Sequence, residues 1–186
     1  KLRKFTLFYI FIAIFSVFVV SYTYRSLMHT IYPLKYEELV SKYSLQYDVE
    51  KELIFAVIKC ESGFDQEAHS HANAQGLMQM TPETFNWINE CYIRQQELNV
   101  SELKKPELNI RCGTLLLSIL LKKYKNEKLA LSAYNAGIST VDRWIKNNVI
   151  SSETPDLSCI PYKETKNYVK RVMRAKKIYK KLYFTD

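Results

Sequence analysis

A mainly α-helical domain behind an N-terminal membrane-spanning helix is the fold class this sequence predicts, and three observations predict it. Glycine and proline are scarce, 4 and 5 in 186 residues, so long stretches run without the punctuation that a strand-rich sandwich needs. Apolar residues recur at helical spacing in segment after segment, with no strand-like alternation and no internal repeat. The opening segment from Phe5 to Tyr24 is almost wholly apolar or aromatic and uncharged, which is the length of a bilayer-spanning helix.

With 47% hydrophobic and 25% charged residues the chain is too apolar for a disordered one and long enough for one packed domain. Its N-terminal part divides into a basic cytoplasmic stub (1–4), a membrane anchor (5–24) and a juxtamembrane linker (25–35). Lys1, Arg3 and Lys4 precede the anchor, so the positive-inside bias keeps the N-terminus in the cytoplasm and places everything after Arg25 outside. A cleaved secretory signal is the rival reading, but a signal has a shorter apolar core and a small-x-small cleavage site, and the flank here reads Ser-Tyr-Thr-Tyr-Arg-Ser-Leu. A retained single-pass anchor in the cell membrane is therefore expected. The chain opens on Lys1 rather than methionine, so at least one residue is expected ahead of it.

Pro33 gives a stop before the domain, which is expected to start at Tyr36 and run to residue 186. Leu39, Val40 and Tyr43 mark a first helix, and the run from Val49 through Leu53, Ile54, Ala56, Val57 and Ile58 is apolar on nearly every side, so that helix belongs at the centre of the domain. From Gly63 to Thr81 the periodicity vanishes, which predicts a surface loop carried on rigid helices, a common place for function. Thr81-Pro82-Glu83 then starts a helix through Trp87, with Thr81 as N-cap. Pro106 opens another to about Tyr124, with Leu108, Cys112, Leu115, Leu116, Ile119 and Leu120 on its apolar face. Residues 127–136 form a short helix stopped by Gly137, Ser139 is expected to cap the next one through Trp144, and a loop with Pro155 and Pro161 leads to a terminal helix.

The formal charge of +8 is concentrated at the anchor and in that terminal helix, where Lys170, Arg171, Arg174, Lys176, Lys177, Lys180 and Lys181 interleave with apolar residues. Outside a membrane nucleic acid is excluded as a partner, so the basic face meets anionic wall polymer or lipid headgroups, or is simply solvated. The four cysteines, Cys60, Cys91, Cys112 and Cys159, all fall in the outside domain, where three pairings are open to them. Alternatively Cys60 and Cys112 are small buried hydrophobes. No pair has the spacing of a zinc site, and His69 and His71 on a loop without a third ligand read as exposed histidines, so neither metal nor other cofactor is expected.

Glu61 stands out on physical grounds. It ends a buried apolar helix and precedes Ser62-Gly63, the pattern of a helix C-terminus. The negative end of the helix dipole and partial desolvation both raise a carboxyl pKa there, and a glutamic acid kept protonated near neutrality is what a general acid needs. A solvated helix-end glutamate is the plain alternative on these grounds alone.

Four blocks in order then add a resemblance: Glu61-Ser62-Gly63-Phe64 with Ala68-His69-Ser70; Gly76-Leu77-Met78-Gln79-Met80-Thr81-Pro82; Asn109-Ile110 with Gly113 and Ala133-Tyr134-Asn135-Ala136-Gly137; and Ile160-Pro161-Tyr162 with Glu164-Thr165 and Tyr168-Val169. Together they resemble the catalytic domain of the soluble lytic transglycosylase family over residues 47–182. The resemblance implies a goose-type-lysozyme-like helical domain with a long glycan groove. It implies cleavage of peptidoglycan glycan strands between N-acetylmuramic acid and N-acetylglucosamine without water, leaving 1,6-anhydro ends. Glu61 would be acid and then base. Ser70 and Gln79 would hydrogen-bond sugar substituents, and Met78 would line the groove unless it is core filler. Tyr134, with Asn135 beside it, and Tyr168 would orient Glu61 or contact the N-acetyl group, while Glu164 would fix the back of the cleft.

Glycosidases generally use two carboxylates, yet only Glu61 is well placed here, because Gly63 should turn Asp65 toward solvent. A hydrolase on the same fold and a non-catalytic wall-binding assembly factor are the competing readings. Small size and the lack of a wall-binding repeat fit a local role beside a membrane complex. Asn73 stands where the family often has glycine, a position asparagine tolerates, and Cys112 replaces a common apolar residue.

Overall fold

The computed structural model describes residues 2–94, 98–153 and 155–185; Lys1 of the basic stub lies outside the described residues. The chain divides into two units, residues 1–34 and 35–186. In the first, one helix, α1 (Leu2–Ile31), contains the span Tyr9–Ile31, long and apolar enough to cross a membrane. Among its described side chains Phe11, Ile14, Val17 and Phe18 are exposed. Residues 25–31, which the sequence assigns to the linker, continue this helix. No glycine or proline interrupts that stretch, and the chain leaves the helix only where Pro33 disfavours a helical residue before it.

The second unit is helical: α2 (Glu37–Tyr47), α3 (Lys51–Glu61), α4 (Pro82–Ile88), α5 (Pro106–Tyr124), α6 (Glu127–Ala136), α7 (Ile138–Lys146) and α8 (Lys163–Tyr179). Among the described residues, extended pairing is limited to the isolated bridges His69 to Gln75 and Gln75 to Met80. As its composition requires, α3 is the central helix, with Leu53 through Ile58 all at 2% exposure or less. It packs most extensively on α8 and also on α2; α5 packs on α2 and α6, and α6 on α7 and α8. Phe55 of α3 stacks on Tyr179 of α8 with ring centroids 5.4 Å apart, closing the core at one end.

Local chemistry accounts for the helix ends. Thr81 caps α4, its Oγ1 accepting from the Thr84 N–H at 3.2 Å, with Pro82 in the first turn. Asn126 caps α6 by accepting from the Lys128 and Leu129 N–H groups. Gly137, at φ +87°, ends α6 and at once begins α7. Ser139 therefore lies inside the first turn of α7 rather than capping it, because one left-handed glycine turns the chain without further non-helical residues. Lys176 of α8 ion-pairs with Glu127 at 2.8 Å and with Glu50, so the terminal helix is tied to α6 and to the start of α3. Lys170, Arg174 and Lys177 of the same helix face solvent, as does Lys181 in the π turn Lys180–Phe184 that follows it.

The candidate active site

The site is built around the end of α3. Glu61 is its last residue and half-buried, and the chain leaves the helix through Gly63 and Phe64, both left-handed at φ +61° and +71°. The Phe64 ring is 5% exposed and rests on Phe55 with centroids 6.4 Å apart, so packing holds a conformation that an aromatic residue rarely adopts. Ser62 ties this corner down: its hydroxyl donates to the Leu77 carbonyl at 2.8 Å and accepts from the Phe64 N–H at 3.1 Å. Asp65 is turned outward as expected, where it accepts from the Glu67 N–H at 2.9 Å.

The loop from Ala68 to Met80 folds over this corner. Met80 and Gln75 exchange both backbone hydrogen bonds at 3.0 Å, and Gly76 N–H donates to the Ala68 carbonyl at 2.9 Å. Asn73 takes φ +59°, the left-handed conformation that its glycine-like position demands. Beneath the loop stands Asn109 of α5, fully buried. Its Oδ1 accepts from the Met78 N–H at 2.7 Å, and its Nδ2 donates to the carbonyls of Gln75 at 2.8 Å and Leu103 at 2.7 Å. A Cβ on Gly76, itself at φ +75°, would stand 2.4 Å from the Asn109 amide nitrogen, so only glycine lets the loop settle there.

Each residue singled out in the sequence can now be placed. The Ser70 hydroxyl accepts from the Ala74 N–H at 3.1 Å, holding its own loop. Gln79 commits its amide nitrogen to the carbonyls of Ala68 at 3.1 Å and Gly76 at 3.0 Å, which leaves its side-chain carbonyl as the outward acceptor. Met78 does not line a groove. Its side chain is fully buried against Gly113 of α5, where a Cβ would come within 2.5 Å of its sulfur, so it fills the core under the loop. The half-buried Tyr134 donates from its hydroxyl to the Met78 carbonyl at 2.7 Å. Asn135 accepts from the Thr165 hydroxyl at 2.7 Å, joining α6 to α8.

Glu164, Tyr168 and Arg171 share one stripe of α8 and bring it to Glu61. Tyr168 is buried, and its hydroxyl faces the Glu61 carboxyl without closing a hydrogen bond of good geometry. Glu164 is exposed and reaches Glu61 through its charge, with no hydrogen-bond or ion-pair partner among the described residues.

Electrostatics agree with this arrangement. Burial pushes the Glu61 carboxyl up to about 7; the Tyr168 hydroxyl and the Arg171 guanidinium pull it down, and the charge of Glu164 pushes it up. Burial, and then the Glu61 charge, hold the phenols of Tyr134 and Tyr168 well above their ordinary range, so both remain neutral. Burial likewise raises the neighbouring Cys60 thiol to about 11, which removes a thiolate nucleophile from the site. All four cysteines are free: Cys112 is buried, Cys60 half-buried, Cys91 and Cys159 exposed. His69 and His71 are exposed.

Asn109 and Arg171 are the parts that the sequence argument left without a role. A signal existed for Asn109, since an amide amid the apolar residues that open α5 must find buried partners. Arg171 is hidden among the other cations of α8, and only its spacing of three from Tyr168 distinguishes it.

A helical unit with a half-buried glutamate, its carboxyl raised to about 7, at the end of its central helix defines a lysozyme-like scaffold. The family model for the transglycosylase SLT domain matches residues 38–155, and the chain belongs to that family. The match takes in Glu61 through Asn135 and ends before Glu164 and Tyr168. The chain is 30% identical to the soluble lytic murein transglycosylase of Salmonella typhimurium over 144 residues, covering 76% of this chain and 22% of that protein. It is 33% identical to the membrane-bound lytic murein transglycosylase C of Haemophilus ducreyi over 168 residues, covering 78% and 45%. It thus spans less than half the length of these relatives. The crystal structure of the 70-kDa soluble lytic transglycosylase of Escherichia coli superposes with a TM-score of 0.76 at 27% identity, covering 84% of this chain and 26% of that one. A 70-kDa soluble lytic transglycosylase solved as a complex with bulgecin A superposes with a TM-score of 0.77 at 26% identity, covering 86% of this chain and 26% of that one.

Proposed function

We propose that this chain is a membrane-anchored lytic murein transglycosylase that cleaves the β-1,4 bond between N-acetylmuramic acid and N-acetylglucosamine in peptidoglycan. The observation that carries the reading is Glu61, a carboxyl raised to about 7 by burial. At neutral pH a large part of it holds the proton that a leaving glycosidic oxygen needs.

Glu61 gives that proton to the bridging oxygen, the C1–O bond breaks, and the N-acetylglucosamine side leaves as an alcohol. The substrate's own N-acetyl carbonyl stabilises the positive charge that develops at C1. The muramoyl 6-hydroxyl then adds to C1 and returns its proton to Glu61, so the ring closes as a 1,6-anhydro end, no water is consumed and the enzyme is regenerated. The neutral Tyr134 and Tyr168 phenols line Glu61, and the outward carbonyl of Gln79 and the hydroxyl of Ser70 are offered to sugar substituents.

A single-pass anchor in α1, with the basic stub inside and residues 35–186 outside, would hold the unit at the membrane face toward the wall, in keeping with a local role beside a membrane complex. A hydrolytic reading has one observation in its favour, the second carboxylate of Glu164 within electrostatic reach of Glu61. Product mass separates the two: sacculi digested by the full chain should yield muropeptides lighter by one water and resistant to borohydride. Reducing, borohydride-sensitive ends would make the enzyme a hydrolase.

A further inference from the structure

The terminal helix sorts its cations by face. Its buried side, with Tyr168, Val169, Val172 and Tyr179, packs on α3 and α6, and the cations that border that side have partners. Lys176 pairs with Glu50 and Glu127, Lys180 at the start of the following π turn stands 3.9 Å from Glu52, and Lys166 donates to the Ser158 carbonyl at 2.7 Å. Lys163, Lys170, Arg174, Lys177 and Lys181 differ: all five are exposed, and none has a hydrogen-bond or ion-pair partner among the described residues. At about 100° per residue the first four form one outward row, and Lys181 follows in the π turn. No acidic residue stands on that row, since the only acid in α8 is Glu164, about 100° round from Lys163.

An ordinary solvated face mixes signs, so that charges three and four residues apart attract one another. Here Lys170 and Arg174 are four apart and Arg174 and Lys177 three apart, so like charges repel at each step and weaken the helix. The helix dipole offsets this only in the last turn, where Lys177 lies; Lys163, in the first turn, faces the positive end and gains nothing. A row of like charges that weakens its own helix finds its complement in an anionic surface. The connection to α1 selects which one. The chain passes from α1 to α2 through residues 32–36, which reach at most about 18 Å when fully extended. With α1 in a bilayer, lipid headgroups are therefore at high effective concentration around the second unit, and no such tether brings wall polymer to it.

We propose that the outward row of α8 docks on an anionic phospholipid surface, with Lys163, Lys170, Arg174, Lys177 and Lys181 against the headgroup phosphates. This rests on the membrane-anchored part of the proposed function and deepens it. Each lysine or arginine near such a surface raises occupancy by about five-fold, and the attraction fades beyond about 8–10 Å in physiological salt. The reacting side of the unit stays free. Arg171, which acts on Glu61, follows Lys170 directly and so lies about 100° round the helix from it. Docking on the row leaves the Glu61 edge beside the lipid and open to glycan strands.

The full chain is reconstituted in nanodiscs of phosphatidylcholine, alone or with phosphatidylglycerol added. Its lysines are then acetylated briefly by a water-soluble reagent and read by mass spectrometry. Lys163, Lys170, Lys177 and Lys181 should react roughly three- to ten-fold more slowly in the anionic discs at low salt, and the difference should vanish at high salt. Lys122 of α5 and Lys146 of α7, exposed elsewhere on the unit, should react alike in both discs. The triple variant Lys170→Gln, Arg174→Gln, Lys177→Gln should bring Lys163 and Lys181 back to the neutral-disc rate. Circular dichroism verifies that it is folded, and the wild-type comparison carries the test if it is not. Equal rates in both discs, equal slowing at Lys122 and Lys146, or slowing that survives in the folded triple variant would each overturn the proposal. So would protection that appears only when poly(glycerol phosphate) is added to neutral discs, which would assign the row to wall polymer. A chain that fails to co-elute with either disc counts against the anchored reading, whereas one that co-elutes with both and shows no protection counts against this docking alone.

Discussion

The Tyr134 hydroxyl donates to the main-chain carbonyl of Met78 at 2.7 Å, and that one bond joins the end of α6 to the loop that covers Glu61. It fixes the phenol ring beside the Glu61 carboxyl and holds the loop at the residue where Asn109 grips it from below.

Tyr134→Phe keeps the ring and loses the bond. Stability should fall by only about 1 kcal/mol, the net worth of one such hydrogen bond. Turnover on sacculi should fall far more, roughly 10- to 100-fold, because small misplacements around a reacting group are costly. Urea midpoints and initial rates measured together check this; equal small effects on both would mean that the bond matters only to the fold.

Asn109 makes a sharper stability prediction. Asn109→Ala leaves the Met78 N–H and the Leu103 carbonyl without the partner that Asn109 gave them, and removes one of two donors to Gln75. The loss should be about 2–4 kcal/mol, measured by denaturant unfolding. Asn109→Asp, which keeps an acceptor for Met78 but no donor, should fail to restore it. A loss below about 0.5 kcal/mol in the alanine variant would show that the loop stands without its pillar.

The pH dependence of stability follows from Glu61. Its carboxyl is raised from the ordinary 4.5 to about 7, so between those values the folded chain holds a proton that the unfolded chain has released. Stability therefore falls as pH rises through that window. Glu61→Gln removes the effect: variant and wild type should be alike below pH 4.5 apart from a constant offset. The variant should gain up to about 3 kcal/mol relative to wild type by pH 7 and hold that gain above it. Thermal or urea unfolding across the range checks the sign, and parallel curves would mean that Glu61 is not desolvated in solution.

Much of this was legible in the chain. The helices follow from apolar periodicity, the central place of α3 from an all-round apolar surface, and the outward turn of Asp65 from Gly63. Asn73 could be read as left-handed because so few residues tolerate that conformation. What was not legible depends on partners distant in sequence. Met78 reads equally as groove or core until Gly113, 35 positions on, is seen to leave room for its sulfur. Glu164 takes a place at the back of the cleft only from its block, and whether any side chain meets it cannot be read from spacing; among the described residues none pairs with it.

The role of Glu61 is tested most directly by turnover of two variants on purified sacculi, each confirmed as folded. Glu61→Gln keeps shape while removing the transferable proton, and it should cut the rate by at least about 100- to 10,000-fold, since one group serves both proton transfers. Asp65→Asn, whose carboxylate faces solvent and accepts a loop N–H, should retain most of the wild-type rate. An active Glu61→Gln beside an inactive Asp65→Asn would contradict the assignment of acid and base to Glu61.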